Sequence, residues 1–543
     1  MTRPPALRPS STVLPAMLVV SASSGSAMLV GFLKNVLAAY YFGTSGAMDA
    51  YLLALLLPDV AMQLARTGAF NFIPLFATEH ARSEAAAWRA AGKMLTYWLL
   101  LLLATLLLAY LLSPLVMPLL APGFSPERRA DTLRLARVLL LMAASVGAGR
   151  MLNVVLHAER RFLTAGLSEV AFQVGSTAFL VTSHAMGIEA LAWAQVFGGF
   201  LQFLVVSVGM LRQRHHLRAG FDLDSRPVRQ LIRLSLPVYV GDSGDKINLL
   251  VTRAFASLLP AGAVSALQYA YTPIEGVHRM FAASLTTAFF PFLSHRFAAR
   301  DQRAARLSFG RAVVATALVF LPLAAAVSLL AGPLVVAFFE RGSFDVTSTR
   351  LTTAALRLFA PSIFALALNE LLTSAFYARQ DSLTPMRAGL IRVASNALLC
   401  AVLSPWLGHR GLALAATLSF YVKLAVLGVG VRGLFTPAEQ RVHLRSLARI
   451  VLAVATMVVA VYPFAAAAAP AVLARGAWPV LVGLSVLCLG VYGAALWAFA
   501  RPELVAHLAL ARRMLRAPID QAPPGVPGVA PEKPAPLPEE VRA

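Results

Sequence analysis

Residues 93–118 read KMLTYWLLLLLATLLLAYLLSPLVMP, and beyond Lys93 the stretch holds no charged side chain. A bilayer's hydrocarbon core is about 30 Å thick, so a helix needs about 20 consecutive apolar residues to cross it. Backbone N–H and C=O groups in that core find no water, which leaves a helix as the structure for such a run. Working outward on the same criterion, roughly fourteen runs qualify. They cover residues 15–41, 47–78, 93–118, 133–156, 162–183, 188–211, 230–258, 263–294, 308–338, 351–377, 384–406, 410–433, 444–467 and 477–499. Pro58 and Gly68 interrupt the overlong second run and Pro273 the eighth, so both are expected as broken or bent helices rather than extra spans. The fold class that follows is an all-α polytopic membrane protein of about fourteen transmembrane helices.

Composition agrees. Of 543 residues, 58% are hydrophobic and 13% charged, with a mean hydropathy of +0.71, whereas soluble domains carry about a quarter charged residues. A soluble globular enzyme is thereby excluded. The net charge of +22 suggests nucleic acid at first sight, but there is no RNP motif, zinc finger or basic soluble domain to bind one. The cations follow the loops instead. Arg212, Arg214, Arg218, Arg226, Arg229 and Arg233 cluster after the sixth run, and Arg296, Arg300, Arg303 and Arg306 after the eighth. The opposite loops hold few, chiefly Arg128, Arg129, Arg341, Arg350, Arg410 and Arg475. Cytoplasmic loops collect Lys and Arg, so both termini are expected in the cytoplasm, with the basic surplus facing anionic membrane lipids. The apolar stretch after Arg3 and Arg8 is too long for a cleavable signal and reads as the first span. Glu503–Arg516 reads as a basic amphipathic segment on the membrane surface, and the Pro-rich stretch from Pro518 as a disordered tail. Cys400 and Cys488 lie in apolar runs, which leaves neither a disulfide framework nor a zinc site.

The chain also repeats itself. GIEALAWA at 187–194 matches GHRGLALA at 408–415, which sets Gly209 opposite Gly430. AERRFLTA at 158–165 matches ARQDSLTP at 378–385, Phe124 matches Phe344, and nearer the start Pro58 pairs with Pro273 and Pro74 with Pro291. Each unit holds an even number of spans, so both enter the bilayer in the same sense, as in transporters whose parallel repeats flank a cavity. The expected division is an N-lobe over 1–211, a C-lobe over 212–433, two further spans over 434–500, and the amphipathic segment with the tail over 501–543.

An ionisable group at mid-bilayer costs about 3 kcal/mol or more unless it is paired or hydrated, which makes each one a functional candidate. The first unit offers Lys34, Asp49, Asp59, Arg66, Arg150 and Glu169; the second offers Asp242, Asp245, Lys246, Arg253, Glu275, Arg279, Arg357, Glu370, Arg392 and Lys423. Those in runs 1, 2, 7 and 8 would face a central cavity. Plainer accounts compete: Arg150, Arg357, Arg392 and Lys423 near helix ends can snorkel to the interface, and Asp242 and Lys246, four residues apart, can neutralise each other. Asp59 and Arg66, with Lys34 and Arg253, would make a cationic patch suited to a phosphate headgroup. Signals for catalysis are weak. Gly428, Gly430 and Gly433 match GxGxxG, yet no strand precedes them and close helix packing is the plainer account. Asp222 and Asp224 sit in a short basic loop as a solvated turn, and His215–His216 has no further ligands. No HExxH, GxSxG or Walker loop occurs, so neither an enzyme nor a cofactor or metal is expected.

The stretch VGFLKNVLAAYYFGTSGAMDAYLLALLLPDVAMQLARTGAFNFIPLF at 30–76, with LAPGF at 120–124, ERGSFD at 340–345 and FYARQDSLTP at 376–385, resembles the MurJ (MviN) lipid II flippases of the MOP exporter superfamily. The likeness covers roughly residues 15–500. It implies two six-helix lobes, alternating access, and export of an undecaprenyl-pyrophosphate-linked sugar across a bacterial inner membrane, with cell-wall synthesis proteins as neighbours. Together with the intramembrane charges, it gives Lys34, Asp49, Asp59, Arg66, Arg253, Glu275 and Arg279 as the expected substrate-binding residues. The sequence departs from the family pattern in its cations: Met28, Met62–Gln63 and Thr272 stand at Arg positions, and Lys34–Asn35 replaces an Arg-Asp pair. Asp49 and Glu275 are retained, and Arg66, one turn along from Met62, can partly replace the missing charge. Asn396 matches the family's cation site, but Cys400 and Thr252 stand where acids can occur. Two other readings remain beside lipid II export: a flippase for another lipid-linked glycan, and a non-transporting envelope scaffold. A drug or cation antiporter of the same superfamily is disfavoured by the basic cavity.

The orientation is checkable. A cysteine replacing Gly408 is expected to react with an impermeant maleimide from outside the cell, and one replacing Ala304 only after permeabilisation. The reverse pattern would invert the direction of export.

Overall fold

The computed structural model describes residues 13–80, 82–159, 161–211, 220–221, 226–278, 302–432, 435–468 and 476–505. Side chains of 13–20, 64–71, 74, 226–227, 234–243, 245, 302 and 304 lie outside that description. The helices are α1 (Val13–Phe42), α2 (Gly46–Ala54), α3 (Leu56–His80), α4 (Glu84–Leu120), α5 (Pro126–Ala158), α6 (Phe162–Ser183), α7 (Ile188–Met210) and α8 (Arg226–Ser257). They continue with α9 (263–278), α10 (Gln302–Leu329), α11 (Ala331–Phe338), α12 (Val346–Phe359), α13 (Ser362–Ala378), α14 (Leu383–Leu407), α15 (His409–Arg432), α16 (Pro437–Ala466) and α17 (Ala477–Phe499). Among the described residues there is no strand, and nine helical stretches are long and apolar enough to cross a membrane. The protein is a multi-pass membrane protein.

The decisive stretch shows why lipid must surround it. On α4, Met94, Trp98, Leu102 and Leu106 recur every fourth residue and are buried against the protein. Leu103, Leu107, Leu111, Leu115 and Leu119 cover another face and stand exposed, Leu115 at 72%. A contiguous apolar face of that length does not occur on a soluble monomer without a partner. Polar side chains cap the ends where helices leave lipid. Ser45, Ser83, Ser125, Asp345 and Thr436 each accept a backbone N–H in the first turn of the helix they precede. Hydrogen bonds from Ser348 hold the Asp345 carboxyl below the usual carboxylate range.

The breaks fall elsewhere than the sequence suggests. The second run divides at Leu55, and helix continues through Gly68. Pro58 is the third residue of α3, where its missing N–H is one that no carbonyl would accept anyway. The ninth and tenth runs, read as continuous, also divide, at Leu330 and at 360–361. Pro333 and Pro361 again mark the start of the second piece. Pro273 does not interrupt α9 as far as residue 278. Residues 279–294 of the eighth run, and the amphipathic segment and tail beyond residue 505, lie outside the described residues.

Helix packing carries the repeat. α6 lies along α7 and α14 along α15, among the most extensive helix pairs in the molecule. Gly187 (φ 69°, ψ −147°) and Gly408 (φ 57°, ψ −135°) take the same left-handed corner ahead of α7 and α15. A Cβ at Gly209 would run into the methyl of Thr164, and one at Gly430 into the Phe376 ring with the Thr384 methyl next to it, so both helices approach a neighbour closely at matched positions. α16 and α17 pair with each other and lean on α10 and α11, where the Tyr492 hydroxyl donates to the Leu318 carbonyl at 2.7 Å.

Glycine at the α6–α7 crossing is a steric requirement. A Cβ on Gly198 would lie 2.6 Å from the Phe172 carbonyl oxygen. Gly198→Ala is expected to destabilise the fold by about 1–3 kcal/mol, the usual cost of overpacking, read as a lower melting temperature of the purified protein. Gly389→Ala, which adds a Cβ where nothing lies within 4 Å, is expected to melt as wild type.

Candidate functional site

Two polar features join the first half of the chain to the second, beside the packing of α3 and α4 on α8, and the loops form the first. Asp49, in the first turn of α2, is 1% exposed, and its two carboxylate oxygens accept the backbone N–H groups of Gly262 and Ser265, each at 2.7 Å. These are free donors at the start of α9, so the carboxylate caps a helix from the other half and meets its positive dipole end. Gly262, at φ 93°, packs against the Thr44 carbonyl. The Thr44 and Ser348 hydroxyls meet at 2.8 Å, and the Ser343 N–H donates to the Tyr40 carbonyl at 2.8 Å. Gly43 abuts the Ser343 carbonyl, and Gly123 the Ser257 carbonyl, so neither position has room for a side chain. Phe124 and Phe344, the matched pair of the repeat, are both buried here. This end of the molecule is sealed by both halves.

The second feature lies deeper. Ser257 sits at the sealed end of α8, and at 1.5 Å per residue Lys246 is about 16 Å further along, close to half the thickness of a hydrocarbon core. Its ammonium pairs with Asp59 of α3 at 3.2 Å, with side chains 26% and 35% exposed. Between these levels Arg253, 9% exposed, donates to the Leu52 carbonyl near the end of α2 and, at 2.8 Å, to Gln268 of α9. Lys246, Arg253, Glu275, His278, Arg392 and Phe420 help to line a cavity of about 330 Å³. The His278 imidazole is 3.9 Å from Glu370.

The sequence candidates thus separate. Arg253 and Glu275 line the cavity, and Asp59 lies at its edge through its pair with Lys246. Asp49 belongs to the loop seal, not to the cavity lining. Lys34 is 6% exposed inside the first half, where it donates to Ser176 at 3.2 Å and Gln195 at 3.3 Å and lies 5.0 Å from the centre of the Phe172 ring. Gln195 in turn donates to the Tyr51 hydroxyl at 2.9 Å. Lys34 is therefore neither at the interface nor on the cavity wall. The side chain of Arg66 and the whole of Arg279 lie outside the described residues, as do Asp222, Asp224, His215 and His216. Lys246 pairs across to Asp59, while the side chain of its intrahelical candidate Asp242 is outside the description.

Arg392, a sequence candidate for which snorkelling was the competing account, is 3% exposed and stacks 5.0 Å from the centre of the Phe420 ring. Other contributors went unnoticed in the sequence. Gln268, Thr44 and Ser348 carry no signal at all, because one hydroxyl or amide among many in a chain has no pattern. Asn396 donates to Thr252 at 3.0 Å, and Cys400 on the same helix is fully buried. Among the described residues no group of three His, Cys, Asp or Glu could hold a metal.

Comparison with known proteins fits this geometry. The sequence profile of the family described as lipid II flippase MurJ matches residues 38–473. A probable lipid II flippase MurJ of Rhizobium tropici is 28% identical over 424 residues, covering 76% of this chain and 79% of the relative. The lipid II flippase MurJ of Burkholderia cenocepacia is 27% identical over 78% of this chain and 85% of its own length. Among solved structures, a lipid II flippase MurJ in an inward closed conformation superposes with a TM-score of 0.73 at 21% identity, over 90% of this chain and all of that one. An inward-facing MATE multidrug transporter of the MOP superfamily gives 0.60 at 14% identity, over 80% of this chain and 97% of its own. A profile match over most of the chain, on a fold of this kind, means that the protein belongs to the MurJ lipid II flippase family.

Proposed function

We propose that this protein carries a polyprenyl-pyrophosphate-linked glycan, lipid II in the first instance, from the cytoplasmic to the periplasmic leaflet of a bacterial inner membrane. The observation that carries the proposal is the cationic cavity near mid-bilayer depth, in a member of a flippase family, beneath a seal built by both halves. The lobes are residues 1–211 and 212–433, and both termini face the cytoplasm. With that orientation the sealed end is periplasmic, and the cavity receives its cargo from the cytoplasmic side. The neighbours of such a transporter are the cell-wall synthesis proteins that make the lipid-linked glycan on one leaflet and polymerise it on the other.

Export then requires the seal to open. The bonds that close it are few and polar: Asp49 to the start of α9, Thr44 to Ser348, and Gly123 N–H to the Ser257 hydroxyl at 3.2 Å. Each charge-assisted bond contributes about 1.5–3 kcal/mol, a strength that holds one state yet lets a second be reached. A scaffold has no use for such a reversible contact, nor for cations near mid-bilayer, and the basic cavity suits an anionic cargo better than a cationic drug.

Complementation tests the reading directly. Cells depleted of their own lipid II flippase are expected to grow when this protein is expressed, and failure of a well-expressed protein would redirect attention to other lipid-linked glycans. The double variant Thr44→Cys with Ser348→Cys places two thiols where hydroxyls stand 2.8 Å apart, and it should form a disulfide in an oxidising periplasm. Growth should stop in the cross-linked state and resume on reduction. Full growth with the cross-link intact would sink alternating access at this end. Cys400 and Cys488 are buried and are not expected to compete.

A further inference from the structure

Beyond the loop seal, on the side away from the cationic cavity, lies a second cleft of about 490 Å³ that opens to solvent. Sites for small ligands span about 300–1,000 Å³. Both halves build it: Tyr41, Phe42 and Ser45 come from the first, and Ser343, Asp345 and Thr347, at and before the start of α12, come from the second. Its chemistry is unlike the cavity's. Asp345 is the one charged residue in its wall, so a phosphate has no cation to meet there. A single carboxylate also falls short of a metal site. The Tyr41 ring stacks on the His184 imidazole at 4.7 Å, and Phe42 tilts against it with centroids 6.2 Å apart, which fixes an aromatic wall. The bonds from Ser348 to Asp345 both fall on Oδ1, which leaves acceptor capacity on Oδ2. An aromatic ring beside hydroxyls and one carboxylate suits a pyranose, whose C–H face lies on the ring while its edge hydroxyls donate to the carboxylate.

The two walls stand together because the Thr44 and Ser348 hydroxyls meet at 2.8 Å. Opening the seal separates aromatic wall from carboxylate, and a ligand that binds one state of a two-state protein shifts the balance toward that state. We propose that this cleft binds a pyranose of a glycan on the periplasmic side, and that an occupant holds the seal shut. The proposal rests on the flippase reading for the orientation and for the presence of a glycan there, while the chemistry of the cleft stands without it. A delivered glycan still near its exit then keeps the protein in the state that receives the next cargo and opposes return of the old one.

The test uses the purified full-length protein in nanodiscs with two soluble probes, cellobiose and N,N′-diacetylchitobiose. Sorbitol, which has hydroxyls but no ring face, is the reference. The wild type is expected to bind at least one disaccharide at least tenfold more tightly than sorbitol. Tyr41→Leu should lose that preference. Asp345→Asn should weaken binding severalfold, and because Asn caps a helix about as well as Asp, α12 keeps its start. If Tyr41→Leu melts below wild type, Asp345→Asn decides alone. A third probe, a polyprenyl-linked disaccharide, identifies the source: binding of the soluble probes assigns the cleft to glycan from any source, and binding of the lipid-linked form alone assigns it to newly delivered cargo. The hold on the seal is read in spheroplasts carrying Thr252→Cys, whose thiol in the cavity meets an impermeant maleimide when the seal opens. The probe that binds is expected to slow this labelling severalfold, and Tyr41→Leu to abolish the slowing. A wild type that binds no saccharide or prefers none to sorbitol, or unchanged binding by both folded variants, overturns the site. Labelling that the bound probe does not slow overturns its hold on the seal. A protein that binds saccharide through Tyr41 and Asp345 yet fails to complement keeps the cleft and removes lipid II transport.

Discussion

The Asp49 carboxylate receives the first free N–H groups of α9, a helix from the other half of the chain, and much of the arrangement follows from that contact. A helix start in or near lipid cannot leave its donors bare, because no water is at hand to satisfy them. Here the satisfying group is supplied by α2, so the start of α9 is complete only when the halves are together at this end. The glycines around it serve the same closeness. Gly43 and Gly123 meet carbonyls of the second half where any side chain would intrude, and Gly262 takes a backbone conformation that other residues rarely adopt. At this end the junction is made of backbone contacts and short polar side chains, while apolar residues of both halves share one core beside it.

Charge deeper in the molecule obeys a different constraint. Lys246 and Asp59 are each about a third or less exposed and neutralise each other across the halves, a contact worth less than a fully desolvated pair because solvent still screens it. Arg253 donates to a carbonyl and an amide, which fixes its position. Arg392 gains an aromatic face. The groups around the cavity are therefore individually held in place, which limits the rearrangement that binding would cost. Lys34 shows the contrast. Its ammonium is buried among neutral partners within one half, where it ties α1 to α6 and α7.

The repeat gives these features their placement. Matched glycines at the corners before α7 and α15, and matched threonines against Gly209 and Gly430, build two similar helix groups from similar sequence. Their loops, carrying Phe124 and Phe344, converge at one end.

The sequence by itself determined the class of protein, the position of its apolar helices, the repeat and the family, because each rests on many residues whose effects add along the chain. Twenty apolar residues in a row have one stable solution in lipid, whatever surrounds them. It also marked Asp59, Arg253 and Glu275 as candidates, since any charge within an apolar run stands out. Only the tertiary structure decided where each charge points. Asp49 and Lys34 looked like cavity residues, and Arg392 like either a cavity residue or an interface anchor, because the sequence gives a residue's depth along a helix but not the direction in which that helix is turned. The helix breaks followed the same logic. A proline marks where a helix can restart, as Pro58, Pro333 and Pro361 do, but Pro114, Pro322 and Pro463 lie within continuous helices. Whether a break occurs depends on what packs against the freed backbone groups, and those neighbours come from distant parts of the chain.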